Sequence, residues 1–289
     1  MTSLERLGHG GPLLAVDTVR WTGAERAEGT ERVVEETPVA IVYNRVPHVV
    51  MMATPEHLED FVLGFSITEE LIRAPRDLLD VRIERFSQGI EIQAAVDPAC
   101  DAVISSRARR LSGRTGCGIC GADSIAAVLK TVHPVAGGSA IPTSVVARAL
   151  EALTEHQALN REAGAVHAAG WASLDGVIQL AREDVGRHNA LDKLVGAALR
   201  AGVDPATGFA VVTSRASFEM VQKATVLGAP ILAAISGPTG LAVRLAREAG
   251  LTLVGFARKG RLTVYSRPER LLAPVERSPD SPNANPGKS

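Results

Sequence analysis

The stretch from Phe209 to Phe256 reads FAVVTSRASFEMVQKATVLGAPILAAISGPTGLAVRLAREAGLTLVGF, and its punctuation decides the fold. Three short apolar runs, Phe209 to Thr213, Ile231 to Ile235 and Thr252 to Phe256, have the length of buried strands. Two segments with helical spacing, Ser217 to Leu227 and Leu241 to Ala249, lie between them. Each closes on a glycine, Gly228 or Gly250, where a helix end favours a left-handed residue. Strand and helix alternating in this way predict right-handed crossovers and a largely parallel sheet.

Upstream, Gly170 to Leu174 and Val177 to Ala181 flank Asp175-Gly176, a hairpin dipeptide, and a helix is expected from about Arg187 to Ala201. Downstream, Lys259-Gly260 turns the chain into a last strand, Arg261 to Ser266. The front half reads differently. Pro38 to Asn44 and Pro47 to Ala53 form one predicted hairpin, and Val81 to Phe86 with Ile90 to Val96 another. Between them, Thr54 is expected to cap a helix with Pro55 in its first turn, Glu56, Glu59 and Asp60 near its positive end, and its far end near Glu70. Asp123 or Ser124 starts a further predicted helix to about Thr131, and Thr143 to about Leu159 another, after a linker from His133-Pro134 to Gly138. The expected fold is α/β, a mixed to largely parallel sheet with flanking helices, joined to a smaller α+β N-terminal part. Its expected divisions are a flexible start (1–11), the α+β part (12–136), the α/β part (137–275) and a disordered Pro- and Ser-rich tail (276–289).

Composition sets limits. A chain of 289 residues, 46% apolar and 22% charged, can bury a substantial core. Its formal charge of −1 gives no global field for nucleic acid or membrane, so an anionic partner needs a local basic patch. Aromatics make up 3%, too few for a base-stacking platform along a single strand. Met1 to Gly11 lacks the charged-then-apolar pattern of a signal peptide, and no apolar run approaches the ~20 residues of a membrane span. Three cysteines, Cys100, Cys117 and Cys120, are too few for a secreted disulfide scaffold, and a reducing cytoplasm is expected.

Two features carry chemistry. The first is Gly116-Cys117-Gly118-Ile119-Cys120-Gly121, preceded by Arg107, Arg109, Arg110 and Arg114 with no acid among them. Half a zinc site, a redox pair and two buried structural thiols are the plain alternatives. No paired ligand spacing supports the first, no βαβ unit surrounds the motif for the second, and the bracketing glycines oppose the third. A nucleotide deaminase would need His-x-Glu before Pro-Cys-x-x-Cys. Here Ala169 stands where the Glu would be, Gly116 replaces the Pro, and the order is reversed. Neighbouring cations lower a thiol's pKa from ~8.5, and the thiolate is the nucleophile. The first cysteine of such a pair is typically the more exposed, so Cys117 is the candidate nucleophile, and Cys120, nearer the following predicted helix, the group to attack a sulfur adduct on it.

The second feature is a set of polar segments following predicted strands: Arg182 to Asn189, Ser214 to Ser217, and Ser236 to Gly240. All are expected at the carboxyl edge of the sheet beside helix N-termini, the usual crevice for phosphate-bearing ligands. Plain capping accounts for Ser217 alone, and Asp184, His188 and Asp192, four apart, could merely share a helix face. Together the segments favour a nucleotide or dinucleotide pocket. No Gly-x-x-x-x-Gly-Lys-[Ser/Thr] loop is present for nucleotide hydrolysis.

With these residues in view, the chain resembles the FdhD family of formate dehydrogenase accessory sulfurtransferases from about Glu35 to Tyr265. The likeness lies in Thr54-Pro55 with its helix, Gly113 to Gly121, Arg182 to Lys193, Ser217-Phe218-Glu219 with Lys223-Ala224, Pro238-Thr239 and Gly250 to Phe256. The resemblance implies sulfur relay. A cysteine desulfurase supplies a persulfide, and the sulfur passes to the molybdenum cofactor in its bis-pyranopterin (molybdopterin) guanine dinucleotide form for formate dehydrogenase. It places the persulfide on Cys117, its partner on Cys120, and cofactor contacts on Phe256, Ala257, Arg258, Lys259, Gly260 and Arg261. Arg182, Asp184, Arg187, His188, Arg215, Ser217 and Thr239 are further candidate contacts at the strand ends. A cytidine-deaminase-like core without a resident metal, and a homodimer, are also implied. The chain departs from the family pattern at Glu162 to His167, at Ser214 and at Gly237, where Ala165 and Ser214 replace glycines. A cofactor-binding chaperone without sulfur chemistry and a thiol–disulfide oxidoreductase are the competing readings.

Overall fold

The computed structural model describes residues 8–111, 132–258 and 260–273. An exposed ribbon opens the chain, β1 (Leu13–Thr22) and β2 (Glu25–Val34), reversing at Gly23 with φ 63. Just before it Gly8, in a stretch expected to be flexible, is buried and accepts a bond from Arg85 at 3.0 Å. The two front hairpins form as expected, β3 (Thr37–Tyr43) with β4 (Val46–Ala53), and later β5 (Leu78–Phe86) with β6 (Gly89–Val96). Asn44 and Arg45 both take left-handed angles, which match the twist of a tight hairpin. α1 (Leu58–Thr68) connects the hairpins, so β3 and β6 meet in parallel and the sheet order is β4-β3-β6-β5. Alternation puts Val39, Ile41, Tyr43, Ile90 and Ile92 on the face against Phe61 and Phe65 of α1. α2 (Asp101–Leu111) follows.

The α1 start corrects the sequence reading. Thr54 is not its cap; His57 is, with φ 54 and no side-chain cap bond. Thr54 bonds instead to distant chain, because its carbonyl, amide and hydroxyl all meet partners near the end of a later strand.

The second part begins with β7 (Ile141–Pro142) and α3 (Thr143–Glu155). The helix expected to reach Leu159 breaks after Glu155, and a short α4 (Ala158–Ala163) follows. The Glu183 carboxylate fixes its start, accepting from Leu159 N at 2.8 Å and Asn160 N at 2.9 Å. Then come β8 (His167–Ser173), β9 (Ile178–Asp184), α5 (Arg187–Arg200), β10 (Gly208–Val212), α6 (Phe218–Leu227), β11 (Ile231–Ala234), α7 (Gly240–Ala249), β12 (Thr252–Arg258), β13 (Arg261–Ser266) and β14 (Leu271–Leu272). The six-stranded sheet runs β13-β12-β11-β10-β8-β9. β10, β11 and β12 are parallel, as the crossovers predict. The remaining pairings are antiparallel, so the sheet is mixed rather than largely parallel. The cause is that hairpins, at Asp175-Gly176 and before Arg261, supply the outer strands. α5, α6 and α7 pack on one face with Trp171 and Leu232, and α3 packs on the other with Val211 and Ile231. Among the described residues no helix is long and apolar enough to cross a membrane.

The two parts meet where α1 crosses α5. A Cβ on Gly64 would lie 1.7 Å from the Asp192 carbonyl oxygen, and one on Gly196 would lie 1.9 Å from that of Asp60. Backbone contact this close admits only glycine. The crossing brings three acids onto cations. Asp184 holds Lys193 at 2.6 Å, both wholly buried; Asp192 holds Lys223 at 2.8 and 2.9 Å; Asp60 holds Arg182 at 2.7 Å and Arg200 at 3.0 Å.

Overpacking this crossing should be costly. Gly196→Ala is expected to lower stability by about 3 kcal/mol in urea unfolding, since the two backbones must separate. An unchanged midpoint would contradict the close crossing.

Candidate functional site

Strand direction gathers the site. β9, β10, β11 and β12 all point the same way, so their carboxyl ends share one edge, where β8 and β13 begin. Backbone bonds stitch that edge into a row: Thr213 N to Ala168 O (3.0 Å), Ile235 N to Val212 O (3.1 Å), Thr239 N to Ala216 O (3.1 Å) and Phe256 N to Ser236 O (3.2 Å). The N-termini of α5, α6 and α7 stand beside it, each with a positive dipole end.

At the β9 end of the row, predicted contact residues are engaged in the joint. Arg182 and Asp184 belong to β9 rather than following it, as the sequence reading had them. Arg182 gives Nε and Nη2 to Asp60 and Nη1 to Ala181 O. Asp184 receives Lys193, Thr54 N (3.1 Å), Gly186 N (2.8 Å) and Asn189 Nδ2 (3.0 Å). Asp192, too, faces inward, onto Lys223 and the Thr68 hydroxyl at 2.6 Å. This is why Thr54 leaves the helix cap: its carbonyl takes Lys193 Nζ at 2.9 Å and its hydroxyl takes Val185 N at 3.1 Å.

The middle of the edge is different. Arg187 Nε and Ser217 Oγ are buried atoms with no hydrogen-bond partner among the described residues. Ser217 holds the N-cap position of α6, yet its hydroxyl makes no cap bond and remains available. His188 Nε2 pairs with Glu219 Oε2 at 2.8 Å, both partly exposed. Burial raises the Glu219 carboxyl, but the bond and charge of His188, with Lys223 and Arg187, outweigh it and hold the group below the ordinary range. His167, which opens β8, has its pKa lowered by burial and then by Arg187 and His188. Sequence reasoning left His167 and Glu219 off the list of contacts; only the cationic company of His167 marks it, and that is tertiary. Thr239 is placed as expected but spends its hydroxyl capping α7 at Ala242 N (3.3 Å), and Arg215 is exposed. Donors without acceptors, beside helix N-termini, make a place for an anion such as phosphate.

At the far end, Phe256, Arg258, Arg261 and Thr263 line a cleft of about 720 Å³. Phe256 is half exposed at φ 52, where β12 loses register with β13, and Arg258 comes opposite Arg261. A Cβ on Gly237 would lie 2.6 Å from the Phe256 ring, so the ring rests on bare backbone of the β11–α7 loop. Ala257 is buried, Gly260 turns at φ 72, and Lys259 lies outside the described residues. Two guanidiniums around an exposed ring suit a phosphate-bearing ligand with a flat base. Cys117 and Cys120, with the predicted helix after them, also lie outside the described residues.

Residues 34–272 match the FdhD/NarQ family. The chain is 48% identical to the sulfur carrier protein FdhD of Bordetella bronchiseptica over 262 residues, covering 90% of this chain and 95% of that one. It is 52% identical to the sulfur carrier protein FdhD of Xanthomonas campestris pv. campestris over 261 residues, covering 90% and 93%. A crystal structure assigned to a formate dehydrogenase accessory protein from Desulfotalea psychrophila superposes with TM-score 0.73 at 26% identity, covering 90% of this chain and all of that one.

His167 reports on the anion place. By NMR titration it should protonate below the ordinary 6.5 in the free protein and move upward when GDP is added, because an anion beside it favours the imidazolium. A His167 that ignores GDP would contradict the assignment.

Proposed function

We propose that this chain, which belongs to the FdhD/NarQ family, carries sulfur for the maturation of formate dehydrogenase and holds the guanine dinucleotide form of the molybdenum cofactor while doing so. The observation that carries the reading is the sheet edge with two separate places for anions. One is Arg187 Nε and Ser217 Oγ, which have no partner among the described residues, and the other is the Arg258–Arg261 cleft. A dinucleotide with several phosphates needs more than one such place. Arg187, Ser217, Arg258 and Arg261 would take phosphate oxygens, and the half-exposed Phe256 ring would stack on a base. When bound, the cofactor supplies the molybdenum centre that accepts the sulfur.

The protein's own step is a thiol exchange. The Cys117 thiolate attacks the outer sulfur of a persulfide on a cysteine desulfurase. The donor's S–S bond breaks, the donor cysteine leaves as thiolate, and Cys117 becomes the persulfide with the transferred sulfur keeping its proton. No net oxidation occurs. Cys120 is the second thiol: its thiolate attacks the inner sulfur of the Cys117 persulfide, the S–S bond breaks, the outer sulfur leaves as hydrosulfide for the acceptor, and a Cys117–Cys120 disulfide forms that a reducing cytoplasm reopens. The protein works as a homodimer in the cytoplasm, where such thiols stay reduced.

Cys117→Ala is expected to fold normally, bind GDP as the parent does, and give no formate-dependent dye reduction in cells that rely on it. Arg258→Ala with Arg261→Ala should weaken GDP binding by about tenfold or more in calorimetry, as expected for lost charge-assisted contacts. Full formate dehydrogenase activity with Cys117→Ala would overturn the sulfur-carrying step in favour of a chaperone that only holds the cofactor.

A further inference from the structure

α1 ends on a glutamate where four other helices end on glycine. At the ends of α5, α6 and α7, Gly202, Gly228 and Gly250 take left-handed angles of 65°, 78° and 72°. Each is closed by a nested pair of backbone bonds, as with Gly228 N to Thr225 O and Ala229 N to Ala224 O, both 3.0 Å. α1 has the same pair, Glu70 N to Ile67 O at 2.9 Å and Leu71 N to Ser66 O at 2.8 Å, with Glu70 at φ 53. A side chain is disfavoured in that conformation, because its Cβ crowds the backbone. A residue held in a costly conformation marks a place where the side chain is put to use.

The use is visible in its partners. Glu70 Oε2 accepts from Arg107 Nη2 at 3.1 Å, and Oε1 lies 3.0 Å from His133 Nε2. Arg107 gives a second bond to the Glu69 carbonyl. Arg107 precedes the stretch bearing Cys117 and Cys120, and His133 follows it. One carboxylate therefore holds the chain on both sides of the cysteines. The root is in turn tied to the joint between the two parts, since Glu69 reaches Lys223 at 3.5 Å, and Lys223 is bound to Asp192. Lys223 lies one helical turn along α6 from Glu219, at the anion place.

We infer that Glu70 is a positioning residue for sulfur transfer, clamping Arg107 and His133, the roots on either side of the cysteine-bearing stretch, to the end of α1. The inference rests on the sulfur-carrier reading. One carboxylate shared by Arg107 and His133 fixes the separation of the two roots, and a reacting group gains from a fixed anchor.

Glycine separates the two roles of this position. Glu70→Gly suits the left-handed backbone and deletes the carboxylate. In the full chain it should melt no lower than the parent, yet take up sulfur from a cysteine desulfurase and cysteine at least about tenfold more slowly, followed by intact mass against time. Glu70→Gln, which keeps both reaches, should recover most of the rate. Arg107→Met with His133→Gln, which removes the two partners and keeps Glu70 itself, should be as slow as Glu70→Gly. Parent-like uptake in either Glu70→Gly or the double variant would overturn the clamp while leaving the sulfur-carrier reading intact. A parent protein that takes up no sulfur would instead overturn that reading, and the clamp with it.

Discussion

The rest of the structure depends on the buried charges at the α1–α5 crossing. Removing ions from water costs several kcal/mol each, and only close partners with satisfied geometry offset it. Here the conditions are met. Asp184 is surrounded by four donors, and Asp192 by Lys223 and the Thr68 hydroxyl. Burial drives the Asp192 carboxyl up and the Lys193 ammonium down. Lys223, equally desolvated, is held above the ordinary lysine range by the Asp192 carboxylate. Such pairs add little to stability compared with apolar packing, but they tolerate one arrangement only. Gly64 and Gly196 bring the backbones near enough for that arrangement to form.

The joint decides what is left for function. It consumes the β9 end of the sheet edge, where Thr54 from the first part sits on Asp184 and Val185. The remaining edge, from His167 to Arg261, keeps donors that no acceptor among the described residues uses. Its two basic places are bridged by the loops ending in Ser217 and Thr239, whose helices present their N-termini to the same side. The α1 helix serves both ends of this plan. Its middle makes the crossing, and the residues just past its end, Glu69 and Glu70, reach the chain on either side of the cysteines.

Much of this was legible in the sequence because it is local. Gly228 and Gly250 marked helix ends, Asp175-Gly176 marked a hairpin, and Arg261 to Ser266 formed the last strand expected after Lys259-Gly260. The directions of β9 through β12 followed from the crossovers, and with them the shared edge. What was not legible depends on partners far along the chain. Thr54-Pro55 has the local form of a helix cap, and nothing nearby reveals that Lys193 and Asp184 compete for it. The run from Arg182 to Lys193 contains the charges a phosphate site would use, and spacing alone cannot tell a charge facing a ligand from one facing Asp60. Asp192 and His188, four apart, illustrate the limit: one is sealed against Lys223, the other meets Glu219 at the partly exposed edge. Glu70 reads as an ordinary surface residue until its backbone angle is known.

On the proposed reading, the sheet edge is the place for an anionic client and Cys117 is the nucleophile that serves it. The central claim is that Cys117 receives sulfur. The most direct test is intact-protein mass after incubation with a cysteine desulfurase and cysteine, comparing the parent with Cys117→Ala. The account predicts a gain of roughly 32 Da that a reductant removes, present in the parent and missing from the variant. No gain in the parent, or the same gain in both, would contradict it.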